Sequence, residues 1–315
     1  MNKRWWFLLG VGAGCSAVTL ATRSRPRHTE LEDGKKLMGF GSQEDWQIFN
    51  ERFPIFVEKY TALDALKDKI FQRAGVGDKL QRVVFALGRV CAEDFQQALL
   101  LCGNGFGIGA LQIIRGLFER QTTAAYLMKY PEHLDDFLDF HFVQMRRGLN
   151  HARKMYRDDD EFTKLVPKER QDEIEWDYQN VIARFTEDVC KKCNTTKPMG
   201  SWSKYNTPEL ARRAERGLAE LYYVHYFQPT MFSHSSVYSL LARLREDDDG
   251  QAIFDHEGQR KHVAEALVAA HLLLIHVLDM HNDYFKLGLD KEVRAVYEDY
   301  KQSWRHYRPP DELVT

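Results

Sequence analysis

Apolar residues recur three and four positions apart along most of the chain, and no run of alternating β-branched residues bounded by turn signals interrupts them. The pattern predicts an all-α fold, a multi-helix bundle. Its organising stretch is residues 103–130, GNGFGIGALQIIRGLFERQTTAAYLMKY, where a glycine-rich opening leads into a long and largely apolar helix. Placed at about 100° per residue, Ala110, Ile113, Ile114, Leu117, Phe118, Ala124 and Met128 form a broad apolar arc. Gln112, Arg115, Glu119, Thr122, Thr123 and Tyr126 take the opposite arc. The other helices are expected to pack around this one.

Prolines, glycines and caps punctuate the rest. Ser42 and Asp45 suit a helix start, Pro54 interrupts that helix, and Gly75-Val76-Gly77 ends the next before a longer one over 78–101. Pro131 opens a helix to about residue 157, where Asp158-Asp159-Asp160-Glu161 breaks the period. Pro167 opens a charged helix to about residue 192, and residues 194–206 read as an interior loop. A helix over 230–244 carries Phe232-Ser233-His234-Ser235-Ser236, with His234 on its core side. Residues 245–258 form a surface loop before the most apolar helix, 259–286, and a short charged helix follows near 291–304.

The N-terminal end differs. Residues 5–21, WWFLLGVGAGCSAVTLA, carry no charge and follow Lys3 and Arg4. As a helix they reach about 25 Å, within the range of a single span. They outrun the ~7–15-residue apolar core of a cleaved signal peptide, and two tryptophans stand at one interface. An uncleaved transmembrane helix is therefore expected over residues 1–22, followed by a polar linker over 23–41 and a helical domain over 42–315. Arg23, Arg25, Arg27, Lys35 and Lys36 outnumber the basic residues before the span, which places the domain in the cytoplasm by the positive-inside tendency.

Composition narrows the chemistry. With 44 basic and 46 acidic residues the net charge is −2, so no global field attracts nucleic acid. Five cysteines are too scattered for a disulfide scaffold. Cys91 and Cys102, eleven apart, suit one buried helix face, and Cys190-Lys-Lys-Cys193 is a lone pair at a helix end that supports no zinc ribbon. His276, Asp279 and Asp283, with His262 and Glu265 on the same stripe, lack the Glu-x-x-His spacing of a di-iron bundle and read as a solvent face. The glycines of 103–109 have neither a preceding strand nor a Gly-Lys-Ser/Thr ending, so they serve helix ends or close packing and not phosphate. No metal or cofactor is expected.

Two site hypotheses remain. Arg115 and Glu119, four apart, either face water as a pair or join His234 in a semi-buried polar site where Glu119 would fix the imidazole tautomer. Alternatively, Arg146-Arg-Gly-Leu-Asn-His151 matches the shortest Arg-x(4–6)-His spacing of HEPN-like ribonucleases. There Arg146 would stabilise phosphate charge and His151 would act as general acid and base. About three such spacings arise by chance in a chain of this composition, so the match alone carries little.

The segment Ala110-Leu-Gln-Ile-Ile-Arg-Gly-Leu-Phe-Glu119, with Tyr126 and the distant Phe232-Ser-His-Ser-Ser236, resembles a bacterial all-helical family of unknown function whose members carry an Arg-x-Leu-x-Glu helix and a later Ser/His segment. The resemblance extends over roughly residues 80–285. It points to Arg115, Glu119 and His234 as binding residues and brings no reaction with it. The leading expectation is a membrane-tethered helical binding or scaffold module, in stress or phage defence, with a protein or small molecule as partner. The HEPN-like ribonuclease or toxin is the alternative.

Overall fold

Three helices supply most of the core of a computed structural model that describes residues 43–156, 158–190, 195–234, 237–246, 252–254 and 257–307. The anchor and linker expected over residues 1–41 lie outside the described residues. In chain order the helices are α1 Gln43–Arg52, α2 Pro54–Arg73, α3 Lys79–Gly103, α4 Gly107–Lys129, α5 Leu134–Met155, α6 Asp159–Leu165 and α7 Lys168–Val181. A two-stranded ribbon, β1 Thr186–Cys190 with β2 Thr195–Pro198, precedes α8 Thr207–Ala214, α9 Leu218–Tyr222, a π-turn Tyr223–Phe227, α10 Gln228–Ser233 and α11 Val237–Leu241. A second ribbon, β3 Leu244–Glu246 with β4 Ala252–Phe254, leads to α12 Val263–Phe285 and α13 Asp290–Ser303. The fold is all-α apart from these ribbons.

The central stretch organises the domain as its pattern predicts. α4 packs against α3 and α12, and Ile108, Leu111, Ile114, Leu117 and Phe118 are fully buried there against Phe95, Leu267, Leu273 and Leu274. The apolar arc is only half the account. From Gln121 to Leu127 every residue of α4 is buried, Thr122, Thr123 and Tyr126 among them, because α8 packs on α4 and Trp202 and Tyr205, just ahead of α8, lie against Tyr126. Cys91 and Cys102 are buried thiols whose Sγ atoms point to the carbonyls of Leu117 and Val263, one contact to each flanking helix. Burial pushes both thiols up, so neither is a nucleophile at neutral pH.

Segment 259–285 is long and apolar enough to cross a membrane, yet most of it is buried inside the domain, as a core helix is. A wide α12 face therefore packs against protein on several sides. α5 and α7 form a smaller cluster around Phe140, Val143, Val181 and Phe185.

The glycine run has two separate jobs. Gly105 takes φ +78° in the turn that ends α3, where its N–H reaches Cys102 O at 3.1 Å and Phe106 N–H reaches Leu101 O at 2.8 Å. Gly107 starts α4 directly beneath the entry to α12, and a Cβ there would lie 2.5 Å from backbone atoms of His262 and Val263.

Three local expectations are corrected. The acidic cluster starts a helix: Asp158 caps α6 by accepting from Asp160 N–H at 2.8 Å, and the next acids sit at the positive end of the helix dipole. The charged helix stops at Val181, and Cys190 lies on β1, so the CxxC pair does not begin at a helix end. Finally, no continuous helix spans 230–244. α10 ends at Ser233, His234 is extended at φ −101° and ψ 150°, and α11 is separate.

Candidate functional site

Arg115 sits half-buried on α4 facing the π-turn and α10. A π-turn inserts an extra residue and rotates the helix beyond it, and here it brings Tyr226 and Thr230 onto one guanidinium. Arg115 Nε donates to Thr230 Oγ1 at 3.0 Å and Nη2 donates to Tyr226 OH at 3.3 Å, while Cζ lies 5.0 Å from the Tyr226 ring centroid. Thr230 Oγ1 itself donates to Tyr226 O at 2.6 Å, and Tyr226 stacks on Tyr222 and leans on Phe118. One turn earlier Gln112 Nε2 donates to Phe232 O at 2.8 Å, which fixes α10 to α4.

The partners of Arg115 are therefore neutral hydroxyls and a ring. Among the described residues it has no carboxylate within ion-pair distance. Glu119 is exposed, and its carboxylate makes no ion pair or hydrogen bond there; only its backbone carbonyl accepts, from Thr123 Oγ1 at 2.9 Å. Arg preceding Glu is the weaker orientation for such a pair, and the α10 hydroxyls draw the guanidinium aside. His234 is exposed just past α10 and hydrogen-bonds neither Arg115 nor Glu119. The structure thus brings Tyr226, Thr230 and Gln112 to Arg115, and leaves Glu119 and His234 free on its margins.

Arg146 and His151 are not brought together. Arg146 Nε donates to Glu175 Oε2 at 2.8 Å and its Cζ lies 5.2 Å from the Tyr178 ring, which clamps α5 to α7. The Arg146 hydrogen bond, helped by Gln179, holds the Glu175 carboxyl below its ordinary range. His151 is exposed five residues further along α5, with no hydrogen bond among the described residues. Arg147 is spent on the carbonyl of Met199.

The α12 stripe is not a uniform solvent face. Glu265 is buried and hydrogen-bonds His262 Nδ1 at 3.1 Å, and the His262 ring packs 5.2 Å from Phe232. His276 is half-buried, whereas Asp279 and Asp283 are exposed. Among the described residues no three His, Cys, Asp or Glu side chains are grouped to hold a metal ion. Periodicity could not mark Tyr226 or Thr230 as site residues, because they meet Arg115 only through a π-turn more than a hundred positions away.

Neither the curated proteins nor the solved structures contain a match to this chain. A family model does match, over residues 81–251, and this span holds α4, the π-turn, α10 and all three of Arg115, Glu119 and His234. It stops before α12, short of the extent that the sequence resemblance suggested. The chain belongs to DUF5677, a family of unknown function.

Proposed function

We propose that this chain is a helical binding module, tethered to the membrane by residues 5–21, whose Arg115 site takes an anionic group of a protein or small-molecule partner. The observation that carries this reading is a half-buried guanidinium held in place by Thr230 and Tyr226 without a neutralising carboxylate. A planar fork fixed this way is preorganised for a carboxylate or phosphate. Glu119, one turn along the same helix, supplies an acceptor for a donor that accompanies the anion, and His234 adds an imidazole just past α10.

Calorimetric titration of the full-length chain in detergent with inorganic phosphate, at constant ionic strength, tests the Arg115 site. Arg115→Gln is expected to weaken binding about tenfold or more, the value of one charge-assisted contact, and Arg115→Lys to recover part of it. Equal phosphate affinity in wild type and Arg115→Gln, or no binding to wild type, sinks the reading.

The tether makes its own demand. Residues 5–21 have the length and the aromatic flank of an anchor, with 23–41 as linker and the domain on the cytoplasmic side. After cell lysis the full-length chain is expected in the alkali-resistant membrane fraction, while a chain lacking residues 1–41 leaves it. Recovery of the full-length chain in the supernatant would refute the anchor.

A further inference from the structure

On another side of α4, away from Arg115, the α8–α9 turn and α12 enclose a cavity of about 160 Å3 lined by Gln121, Arg216, Leu218, His276, Asp279 and Met280. A neighbouring recess of about 350 Å3 shares His276 and Asp279 and continues toward Asp290, Arg294 and Tyr297 on α13. We infer that this cavity is a binding site for a small organic cation bearing an ammonium or guanidinium head group.

Unmet acceptors point to that ligand. Gln121 is only 2% exposed, and its side-chain oxygen has no hydrogen-bond partner. A buried acceptor left unpaired is unfavourable, and a ligand N–H would satisfy it. Asp279 shares the cavity wall, and its carboxylate makes no hydrogen bond or ion pair among the described residues. The cation nearest at hand, Arg216, turns instead to Asp283, Nη1 to Oδ2 at 3.2 Å. His276 has no hydrogen bond among the described residues, and burial lowers its pKa, so the ring is neutral and offers one acceptor nitrogen.

The charges agree. The charged groups lining the two recesses are Asp279 and Asp290 against Arg216 and Arg294, and Asp283 outside them takes up Arg216, which leaves Asp279 without an ion pair among the described residues. Burial and the charge of Asp283 raise the pKa of Asp279, while Arg216 works against that rise. A bound cation would relieve this repulsion. A metal ion is the poorer occupant, because no metal-holding group of three exists among the described residues.

One wall is a left-handed turn. Glu215, Arg216 and Gly217 follow one another at φ 63°, 56° and 70°, and two of the three carry a Cβ that disfavours this region. That turn sets Arg216 against Asp283 and leaves Asp279 open to the cavity. The smaller cavity fits a head group, and the larger recess provides room for a chain of a few carbons.

Titration of the full-length chain with n-butylammonium and with agmatine, monitored by calorimetry, tests the site, with valerate as an anion of similar length. Both cations are expected to bind and valerate not to. Asp279→Asn, an exposed and nearly isosteric change, should weaken the cations about tenfold or more, and Gln121→Leu should do so without loss of helicity. Arg115→Gln should leave their affinity unchanged, which separates this site from the Arg115 site. Failure of both cations to bind, tighter binding of valerate, displacement of the cations by zinc at equimolar concentration, or unchanged affinity in Asp279→Asn would each overturn the assignment.

Discussion

Gly107→Ala is expected to lower the unfolding free energy by about 3 kcal/mol, the upper end for overpacking, although alanine is the better helix former by about 1 kcal/mol. A Cβ at this position would stand 2.5 Å from His262 C and Val263 N and 2.6 Å from Gln259 O, all of them backbone atoms. A clash with a side-chain tip can be relieved by a rotamer change. A clash with the entry of α12 has to move a helix, and that helix is buried along most of its length against α3 and α4. The loss should therefore spread beyond the site and weaken the contact between Cys102 Sγ and Val263 O. Urea unfolding monitored by circular dichroism measures it. Gly148→Ala is the control, since nothing lies within 4 Å of its Cβ on an exposed face of α5, and it should stabilise by about 0.5–1 kcal/mol. A Gly107→Ala midpoint within experimental scatter of wild type would show that α12 does not depend on this close approach.

That glycine was legible in the sequence as a packing residue and illegible in its partner. The same division runs through the chain. Pro54 and Pro131 are local devices: α2 begins at Pro54, and a 3-10 turn that leads into α5 begins at Pro131. The apolar arc of α4 was readable because it is a property of one segment. The burial of Gln121, Thr122, Thr123 and Tyr126 was not, since α8 packs on α4 only after the chain has returned over eighty residues later.

Arg115 stood out by its setting in an apolar helix, and its surroundings depended on the π-turn, whose aromatic sequence Tyr-Val-His-Tyr-Phe carries no periodic signature of an inserted residue. The continuous helix expected through His234 failed for a different reason. Pro229 suits the first turn of α10, so a helical period continued smoothly through the serines on paper. In the structure it stops at Ser233, whose hydroxyl bonds back to the Pro229 carbonyl at 3.1 Å. The ribbon of β1 and β2 is polar and lacks a hydrophobic alternation, which left it without a strand signal.

Mild acid should destabilise the domain strongly, through histidines buried in their neutral form. Burial depresses His225 to about 4 and His271 to about 3, and it lowers His281 as well. The causes differ in detail. Trp304 Nε1 donates to His271 Nδ1 at 3.2 Å, so that nitrogen must stay unprotonated, and Phe56 and Tyr300 close over the ring. His225 Nδ1 faces Leu221 O at 3.0 Å and feels His276 nearby. His281 has a carbonyl at each nitrogen, Val277 O at 2.8 Å and Val84 O at 3.1 Å; these favour a charged ring, and complete burial beside Phe71 outweighs them. Each folded pKa lies below the unfolded value near 6.5, so the stability these rings contribute is fully present above that value and is lost as pH falls toward the folded values. Each histidine then contributes a slope of up to ~1.4 kcal/mol per pH unit; His225 and His271 together lower stability by about 4 kcal/mol between pH 7 and pH 5, and His281 acts in the same direction. Asp94, raised by burial against the opposing effect of Arg120, acts in the reverse sense and in a lower range, nearer the carboxylate values. Urea unfolding at half-unit steps across this interval measures the slope. His271→Asn keeps an acceptor for Trp304 and removes one titrating ring, so it should flatten the curve by about one proton whatever it costs at pH 7. A wild-type stability that is level from pH 7 to pH 5 would mean that these rings are open to protons in the folded state.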